Sequence, residues 1–173
     1  MKGYKYLIKA VSSLEINKRV ELVIVGEGEL LNSLKNYADD LKVNIKFRKR
    51  ATKEEVANIL RSSDIFISSS VQLAKQTEST PTVILEAMAA GLPVIATNIG
   101  GAMEIIKSDK FGKIVKHSCA KSLKDGLTAL LDNTENLHAI SKNNIQKGKE
   151  FDWKNIAILI EDVYKQTLTK HSL

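Results

Sequence analysis

The segment ESTPTVILEAMAAGLPVIATNIGGAME, residues 78–104, carries the clearest structural pattern of the chain. Pro81 suits the first turn of a helix, where its missing N–H leaves no hydrogen bond unmade, and Ser79 or Thr80 can cap the free N–H groups. Gly91 can adopt the left-handed conformation that ends a helix. The segment therefore predicts a helix over 81–90, followed by a buried strand over 93–97.

Helices and strands alternate on both sides of this segment. Nearly continuous apolar runs, such as VELVIV and DIFIS, are typical of buried parallel strands. Helices are predicted from the spacing of apolar residues and, at Thr52 and Glu55, from a capping box. The remaining predicted elements are helices over 3–15, 29–41, 53–62 and 102–107, strands over 20–25, 43–47, 64–68 and 112–115, and a helical end over 118–170 that is broken near Asn133 and Asp152.

This alternation predicts an α/β fold, with an open and mostly parallel sheet between two helical layers, that is, a Rossmann-like three-layer α/β/α domain. We expect residues 1–173 to form a single domain, because the chain shows no internal repeat and no linker. Ligands of such sheets bind beyond the carboxyl ends of the strands. The loops that follow Val25, Phe47, Ser68 and Thr97 are therefore predicted to border one crevice.

The positive net charge indicates which binding partners the protein favours. A net charge of +6 favours anions such as nucleotides, phosphorylated lipids or an acidic membrane surface. Nucleic acid is not expected, because Phe47 is the only aromatic residue among the clustered charges and single strands need several stacking platforms. An ordinary solvated sheet end is the alternative interpretation of that cluster, which consists of Lys42, Lys46, Arg48, Lys49 and Arg50.

Neither a membrane span nor a metal site is predicted. No apolar run approaches the roughly 20 residues that cross a bilayer, so we expect a cytoplasmic protein that associates at most peripherally with the inner face of the membrane. The single Cys119 excludes an internal disulfide. The three histidines lie far apart and no D-x-D pair occurs, so we expect no metal and no other cofactor.

Three common catalytic or phosphate-binding motifs are incomplete. Gly26 and Gly28 follow a strand, but Leu31 replaces the third glycine of G-x-G-x-x-G, which weakens a dinucleotide interpretation. Lys107 stands where a Walker loop ending at Gly112 would have its first glycine. No G-x-S-x-G elbow surrounds Ser68, so hydrolase chemistry lacks support.

The start of the helix at Pro81 remains as an anion site, since its free N–H groups and positive dipole end face the expected crevice. Glu78 precedes this helix, and Glu86 lies about one turn into it. Two carboxylates at this position would repel a bound anion. Their presence is explained if they accept hydrogen bonds from hydroxyl groups of a sugar or ribose that is attached to the anion. The alternatives are an ordinary exposed helix residue for Glu86 and a loop surface residue for Glu78.

These motifs resemble the C-terminal, donor-binding half of the retaining glycosyltransferases with the two-domain GT-B architecture, in the family called glycosyltransferase group 1 or family 4. The resemblance covers nearly the whole chain. It rests mainly on Glu78 and Glu86 in an E-x7-E motif, and on the segments LEAMAAGLPVIAT (85–97) and GGAMEII (100–106). Further matches are Lys2-Gly3, LVIVGEGEL (22–30) and FDW (151–153). The segment DIFISSS (64–70) matches a strand end that usually reads Asp-hydrophobic-Pro-Ser in the family.

The resemblance implies transfer of a sugar from a UDP- or GDP-sugar to a glycan or lipid-linked acceptor, without a metal. Glu78 then contacts the transferred sugar, and Glu86 the ribose hydroxyls. Lys2 neutralises the diphosphate, through a charge-assisted contact of roughly 1.5–3 kcal/mol. The implied catalytic residues are Glu78 and Lys2, and the implied donor-binding residues are Glu86, Thr80, Pro81, Thr82, Val83, Gly26, Gly28 and Arg48.

The chain also departs from the family. It contains no Arg shortly before Lys2, the region of Lys49 replaces a glycine, and the loop from Ser70 to Glu78 is longer than usual. The resemblance implies an acceptor-binding N-terminal domain that residues 1–173 do not include, so we expect a half-enzyme that binds the donor and does not transfer sugar alone. The apolar stripe from Ile156 to Tyr164 is expected to be mostly core, with a part exposed where the missing domain would pack.

Two alternatives come from other classes. In the first, the chain is a catalytically silent module that binds a nucleotide or acts in regulation. In the second, it is an enzyme of the related sugar-nucleotide epimerase fold. An epimerase needs an acid and a base around the anomeric carbon, and no histidine stands near Glu78 to serve.

Overall fold

The computed structural model describes residues 2–15, 19–72 and 81–170. Helices and strands alternate as predicted, and the ends of the elements differ from the prediction by a few residues at most. Their order is α1 Tyr4–Ser12, β1 Leu22–Val25, α2 Leu31–Asp40, β2 Ile45–Arg48, α3 Lys53–Arg61, β3 Phe66–Ser68, α4 Thr82–Ala89, β4 Val94–Thr97, α5 Ala102–Ile105, β5 Gly112–Val115, α6 Ala120–Leu131, α7 Thr134–Glu150 and α8 Trp153–Lys170.

All of these strands run parallel, which confirms the α/β class. In the described part of the chain they form two hydrogen-bonded ladders, β1–β2 and β3–β4–β5, where one continuous sheet was predicted. One apolar cluster still joins the ladders, since Leu22 and Ile45 from the first pack in the same cluster as Ile67 from the second. Shared side-chain packing, rather than a backbone ladder, therefore connects the two.

Side chains on β4 alternate between two cores, as the period of a strand requires. Ile95 belongs to the cluster formed with α1, α2 and α6. Its neighbours Val94 and Ala96 belong to the second cluster, formed with α4 and α5. All three side chains are fully buried. The central ladder thus has helices on both faces, which confirms the three-layer arrangement.

Helix α7 packs closely against α4, the helix of the central motif. A Cβ atom placed on Gly148 of α7 would lie 2.7 Å from the Cα of Ala89 on α4, so only glycine fits this contact. At the end of α4, Gly91 adopts a φ of 82°, which confirms the predicted left-handed helix end. These two glycines fix the C-terminal end of α4 against α7.

Most of the apolar stripe of α8 is exposed, and Ile156 is half-buried. The exposed part that was expected is confirmed, but the assignment of most of the stripe to the core is wrong. Leu159 is 59% exposed, Val163 60% and Tyr164 67%. The described part of the chain provides no layer that covers this face, although the stripe has the helical spacing of a buried one. Across the described residues, no helix is long and apolar enough to cross a membrane.

Candidate functional site

Helix α4 presents its N-terminal end without a side-chain cap from the residue before it. Pro81 is that residue, with extended φ and ψ of −75° and 91°, and its carbonyl accepts a 2.9 Å hydrogen bond from the N–H of Ile84. The helix therefore begins at Thr82, one residue later than predicted, because the fixed φ of proline also suits the extended position before a helix. Ser79, Thr80 and Glu78 lie outside the described residues.

The two faces of α4 differ sharply. Ile84, Ala87 and Met88 are completely buried in the second core cluster. Thr82 and Glu86 are exposed, as is Val83. Residues four apart lie on one face of a helix, and the rise of 1.5 Å per residue separates Thr82 from Glu86 by about 6 Å along the axis. The helix start and the carboxylate therefore share one exposed strip.

Lys2 is attached to the end of β3 through its backbone. The hydroxyl of Ser69 donates a 2.7 Å hydrogen bond to the carbonyl oxygen of Lys2, across 67 positions of sequence. Ser69 is 4% exposed, whereas Lys2 is exposed. This contact places Lys2 at the carboxyl end of the β3–β4–β5 ladder, where the sequence predicted the ligand crevice.

Hydrogen bonds also join the loops that follow β3, β4 and β5. The hydroxyl of Thr97, at the end of β4, donates a 2.7 Å bond to the carbonyl of Ser70. The side-chain oxygen of Asn98 accepts a 2.9 Å bond from the N–H of His117, which follows β5. The roles of Ser69, Thr97 and Asn98 were not predicted from the sequence. Hydroxyl and amide residues directly after a strand are the signal that could have identified them.

Gly26 and Arg48 meet at the carboxyl end of the β1–β2 ladder. The N–H of Gly26 donates a 2.8 Å hydrogen bond to the carbonyl of Arg48. Gly28 then precedes α2, and its carbonyl accepts a 3.1 Å bond from the N–H of Leu31. A Cβ atom on Gly26 or Gly28 would meet no atom within 4 Å, so both glycines border open space.

Acids on either side of β1, one just before the strand and one after it, partly neutralise the basic cluster. Lys46 forms a 2.8 Å ion pair with Glu21, and Arg50 pairs with Glu27. Hydrogen bonds from Thr52 lower the pKa of Glu55, and the positive charge of Arg48 acts in the same direction. The sequence order hid these pairs, because the partner acids flank β1, more than 20 positions before the basic residues that they pair with.

The structure thus assembles the predicted residues as three groups. Lys2 lies with Ser69, Gly26 lies with Arg48, and Thr82, Val83 and Glu86 share α4. The hydrogen bonds that join the first two pairs do not involve α4. Among the described residues, no group of three or more His, Cys, Asp or Glu side chains is placed to hold a metal ion.

A cavity of about 300 Å³ lies elsewhere, between α2 and β2. None of the predicted site residues lines it, and it is formed at the ladder's side rather than at the strand ends. The candidate site at α4 and the strand ends is therefore separate from this cavity. The residues that line the cavity are Lys35, Ala38, Asp39, Val43, Ile45 and Phe47.

Residues 1–147 match the family model described as "Glycosyl transferases group 1". The chain is 28% identical to the phosphatidyl-myo-inositol mannosyltransferase of Mycobacterium leprae, over 99% of this chain and 45% of that protein. It is 34% identical to the UDP-Gal:alpha-D-GlcNAc-diphosphoundecaprenol alpha-1,3-galactosyltransferase of Escherichia coli, over 70% of this chain and 30% of that protein. The chain spans less than half the length of the curated relatives that it matches.

Solved structures show the same fold. The crystal structure of HepE from Anabaena in complex with UDP and glucose superposes with a TM-score of 0.81 at 22% identity. The superposition covers 98% of this chain and 45% of the HepE chain. The likeness at this identity concerns the fold alone, and it places nearly all of this chain on about half of a longer protein.

Proposed function

The chain belongs to the group 1 glycosyl transferases, with the fold of the C-terminal half of the GT-B enzymes, and on this basis we propose that it binds the nucleotide-sugar donor of a retaining glycosyltransferase. The donor is a UDP- or GDP-sugar. A relative named for UDP-Gal and a structural neighbour solved with UDP and glucose support this donor class.

The observation that carries the proposal is the exposed strip of α4. Free N–H groups at a helix start attract a phosphate group, and the helix dipole adds to the attraction. Glu86 lies on the same face about one turn further along, at a separation comparable to that between a diphosphate and its ribose. One nucleotide can therefore place its diphosphate at Thr82 and Val83 and its ribose hydroxyls at Glu86.

Lys2 is proposed to stabilise the leaving group. The nucleoside diphosphate gains negative charge as the glycosidic bond breaks, and a positioned ammonium group stabilises that charge in the transition state. Lys2 lies at the carboxyl end of β3, where the loops of this ladder meet. Glu78 is proposed to contact the transferred sugar. The remaining donor contacts are proposed for Thr80, Pro81, Gly26, Gly28 and Arg48, without a metal ion.

Transfer is proposed to require a second, acceptor-binding domain. We propose that residues 1–173 form the donor-binding domain. The proposed acceptor is a glycan or a lipid-linked sugar. The exposed apolar stripe of α8 supports the need for another domain, because a large apolar face in contact with water is unfavourable. The excess positive charge supports peripheral contact with an acidic membrane surface.

Isothermal titration of the chain with UDP- and GDP-sugars tests this function. We expect one nucleotide class to bind, and Glu86→Gln to weaken that binding by roughly 10- to 100-fold, since a hydrogen bond to a charged group contributes about 1.5–3 kcal/mol. Glu54→Gln, on the exposed surface of α3, is the matched control and should bind as the unaltered chain does. Equal affinities for the two variants would refute the role of Glu86.

A further inference from the structure

We propose that Ser69 is a positioning residue that holds Lys2 in place for the diphosphate. The inference rests on the function proposed above, and it adds a residue that the family resemblance does not assign. The Ser69 hydroxyl donates its 2.7 Å hydrogen bond to the backbone carbonyl of Lys2. The bond fixes the main chain of Lys2 and leaves the ammonium group out of the contact.

Ser69 can act as an anchor because its own position is fixed. It follows β3 directly and is buried, as are Ser70 and Val71. Thr97, at the end of β4, is 2% exposed, and its hydroxyl donates to the carbonyl of Ser70. The main chain on which Lys2 rests is therefore held by the central ladder itself.

Gly3 allows the two segments to approach each other. A Cβ atom on Gly3 would lie 2.1 Å from the carbonyl oxygen of Ser69 and 2.8 Å from a methyl carbon of Val71. The φ of Gly3 is 60°, in the left-handed region that favours glycine. Lys2 and Gly3 thus lie directly on the segment that follows β3, with a hydrogen bond beside a close backbone contact.

Anchoring the backbone of a lysine has a physical benefit for binding. A lysine loses considerable rotamer freedom when it contacts a ligand, and a mobile main chain would add to that loss. The hydrogen bond from Ser69 already restricts the main chain of Lys2 before the ligand binds, so binding costs less conformational entropy. Pre-organisation of this kind raises affinity for the group that the ammonium contacts and leaves affinity for other parts of the ligand unchanged.

The test compares UDP with uridine, and GDP with guanosine, by isothermal titration of the 173-residue chain. Ser69→Ala should weaken binding of the diphosphate that binds the unaltered chain by about 3- to 10-fold and leave binding of its nucleoside unchanged. Ser63→Ala is the matched control, because the Ser63 hydroxyl also donates a 2.7 Å bond to a backbone carbonyl, that of Ile59 on α3. It should change neither affinity.

A double-mutant cycle with Lys2→Ala separates positioning from a general structural effect. In the Lys2→Ala background, Ser69→Ala should cause no further loss of diphosphate affinity. Equal weakening of diphosphate and nucleoside, or an additive loss in the double variant, would overturn the inference. If Ser69→Ala does not fold, Ser69→Cys fills the same space with a much weaker donor and is subject to the same comparison.

The cycle also distinguishes failure of the proposed function from failure of the inference about Ser69. If Lys2→Ala leaves diphosphate affinity unchanged, or if neither UDP nor GDP binds, the proposed role of Lys2 fails and the inference fails with it. If Lys2→Ala weakens the diphosphate whereas Ser69→Ala does not, the proposed function stands and Ser69 is not a positioning residue.

Discussion

The side-chain amide of Asn144 donates a 2.7 Å hydrogen bond to the carbonyl of Leu92, which lies 52 positions earlier, just after α4. The same nitrogen donates a 2.9 Å bond to the carbonyl of Phe111, just before β5. Asn144 is completely buried on α7. One side chain of α7 thus holds the end of the candidate binding helix and the approach to β5 together.

Replacement of Asn144 by alanine should therefore destabilise the fold. Two carbonyl groups lose their donor, and each unsatisfied buried group costs about 1–3 kcal/mol. We expect Asn144→Ala to lower the free energy of unfolding by about 2–4 kcal/mol in urea titrations. Asn143→Ala is the control, since half-buried Asn143 donates a 3.1 Å bond to the carbonyl of Lys110. This variant should lose less than about 1 kcal/mol. Equal losses would contradict this assignment.

A side chain at position 3 should disturb both stability and binding. In Gly3→Ala the new Cβ atom cannot remain 2.1 Å from the carbonyl of Ser69, so Lys2 must move away from its anchor. We expect a loss of about 2–4 kcal/mol, from the left-handed backbone and the steric conflict together. Gly26→Ala has a positive φ of 141° but open space around the Cβ atom, and thermal unfolding should show a smaller loss. A larger loss for Gly26→Ala would contradict the steric argument.

The capping box at the start of α3 gives a dependence of stability on pH. The N–H of Thr52 donates a 2.7 Å bond to the carboxylate of Glu55, which lowers the pKa of Glu55 from its ordinary 4.5. A carboxyl group whose pKa is lower in the folded state stabilises the fold above its unfolded pKa, and loses this effect as the pH falls through the folded value. The stability difference between the unaltered chain and Glu55→Gln should therefore shrink below pH 4.5.

Urea unfolding at a series of pH values measures this difference. In a Thr52→Ala background, Glu55 has lost the hydroxyl that completes the box, and the pH dependence should be reduced. A difference between Glu55 and Gln that stays constant down to pH 3 would contradict the assigned hydrogen bonds.

Substitutions on the apolar stripe of α8 should leave the fold intact. Leu159 and Val163 are 59% and 60% exposed, so Leu159→Ser with Val163→Ser should change the free energy of unfolding by less than about 0.5 kcal/mol. Leu127→Ala on α6, where the side chain is 4% exposed, should cost about 2–5 kcal/mol. A loss in the double variant comparable to that of Leu127→Ala would show that the stripe is buried within this chain.

The sequence predicted best those features that depend on neighbouring residues. Helix α4 ends at a left-handed Gly91, and α3 begins with the Thr52–Glu55 capping box, because both signals lie within one turn of the feature that they specify. Short β-branched runs also predicted the strands, but only β4 is buried at every position. The predicted burial of β1 and β3 is wrong, since most of their residues are half-buried. The error of one residue at Pro81 arose because proline suits both the first helical position and the residue before it.

Features that depend on distant residues were not predictable in the same way. The contact between Ser69 and Lys2 joins positions 67 apart, and no periodicity marks it. The ion pair of Lys46 with Glu21 joins β2 to the residue before β1. The sequence does not specify that these two strands are neighbours. The extent to which α8 is exposed was not predictable, because an apolar stripe has the same spacing whether it packs within the chain or against another domain.

Titration of the isotopically labelled chain with UDP and with GDP, followed through the backbone amide resonances, tests directly whether α4 and Lys2 bind the donor. We expect one nucleotide to shift the amides of Thr82, Val83 and Glu86 most strongly, together with those of Lys2 and its neighbours. Shifts confined to the cavity between α2 and β2, or no shifts with either nucleotide, would contradict this expectation.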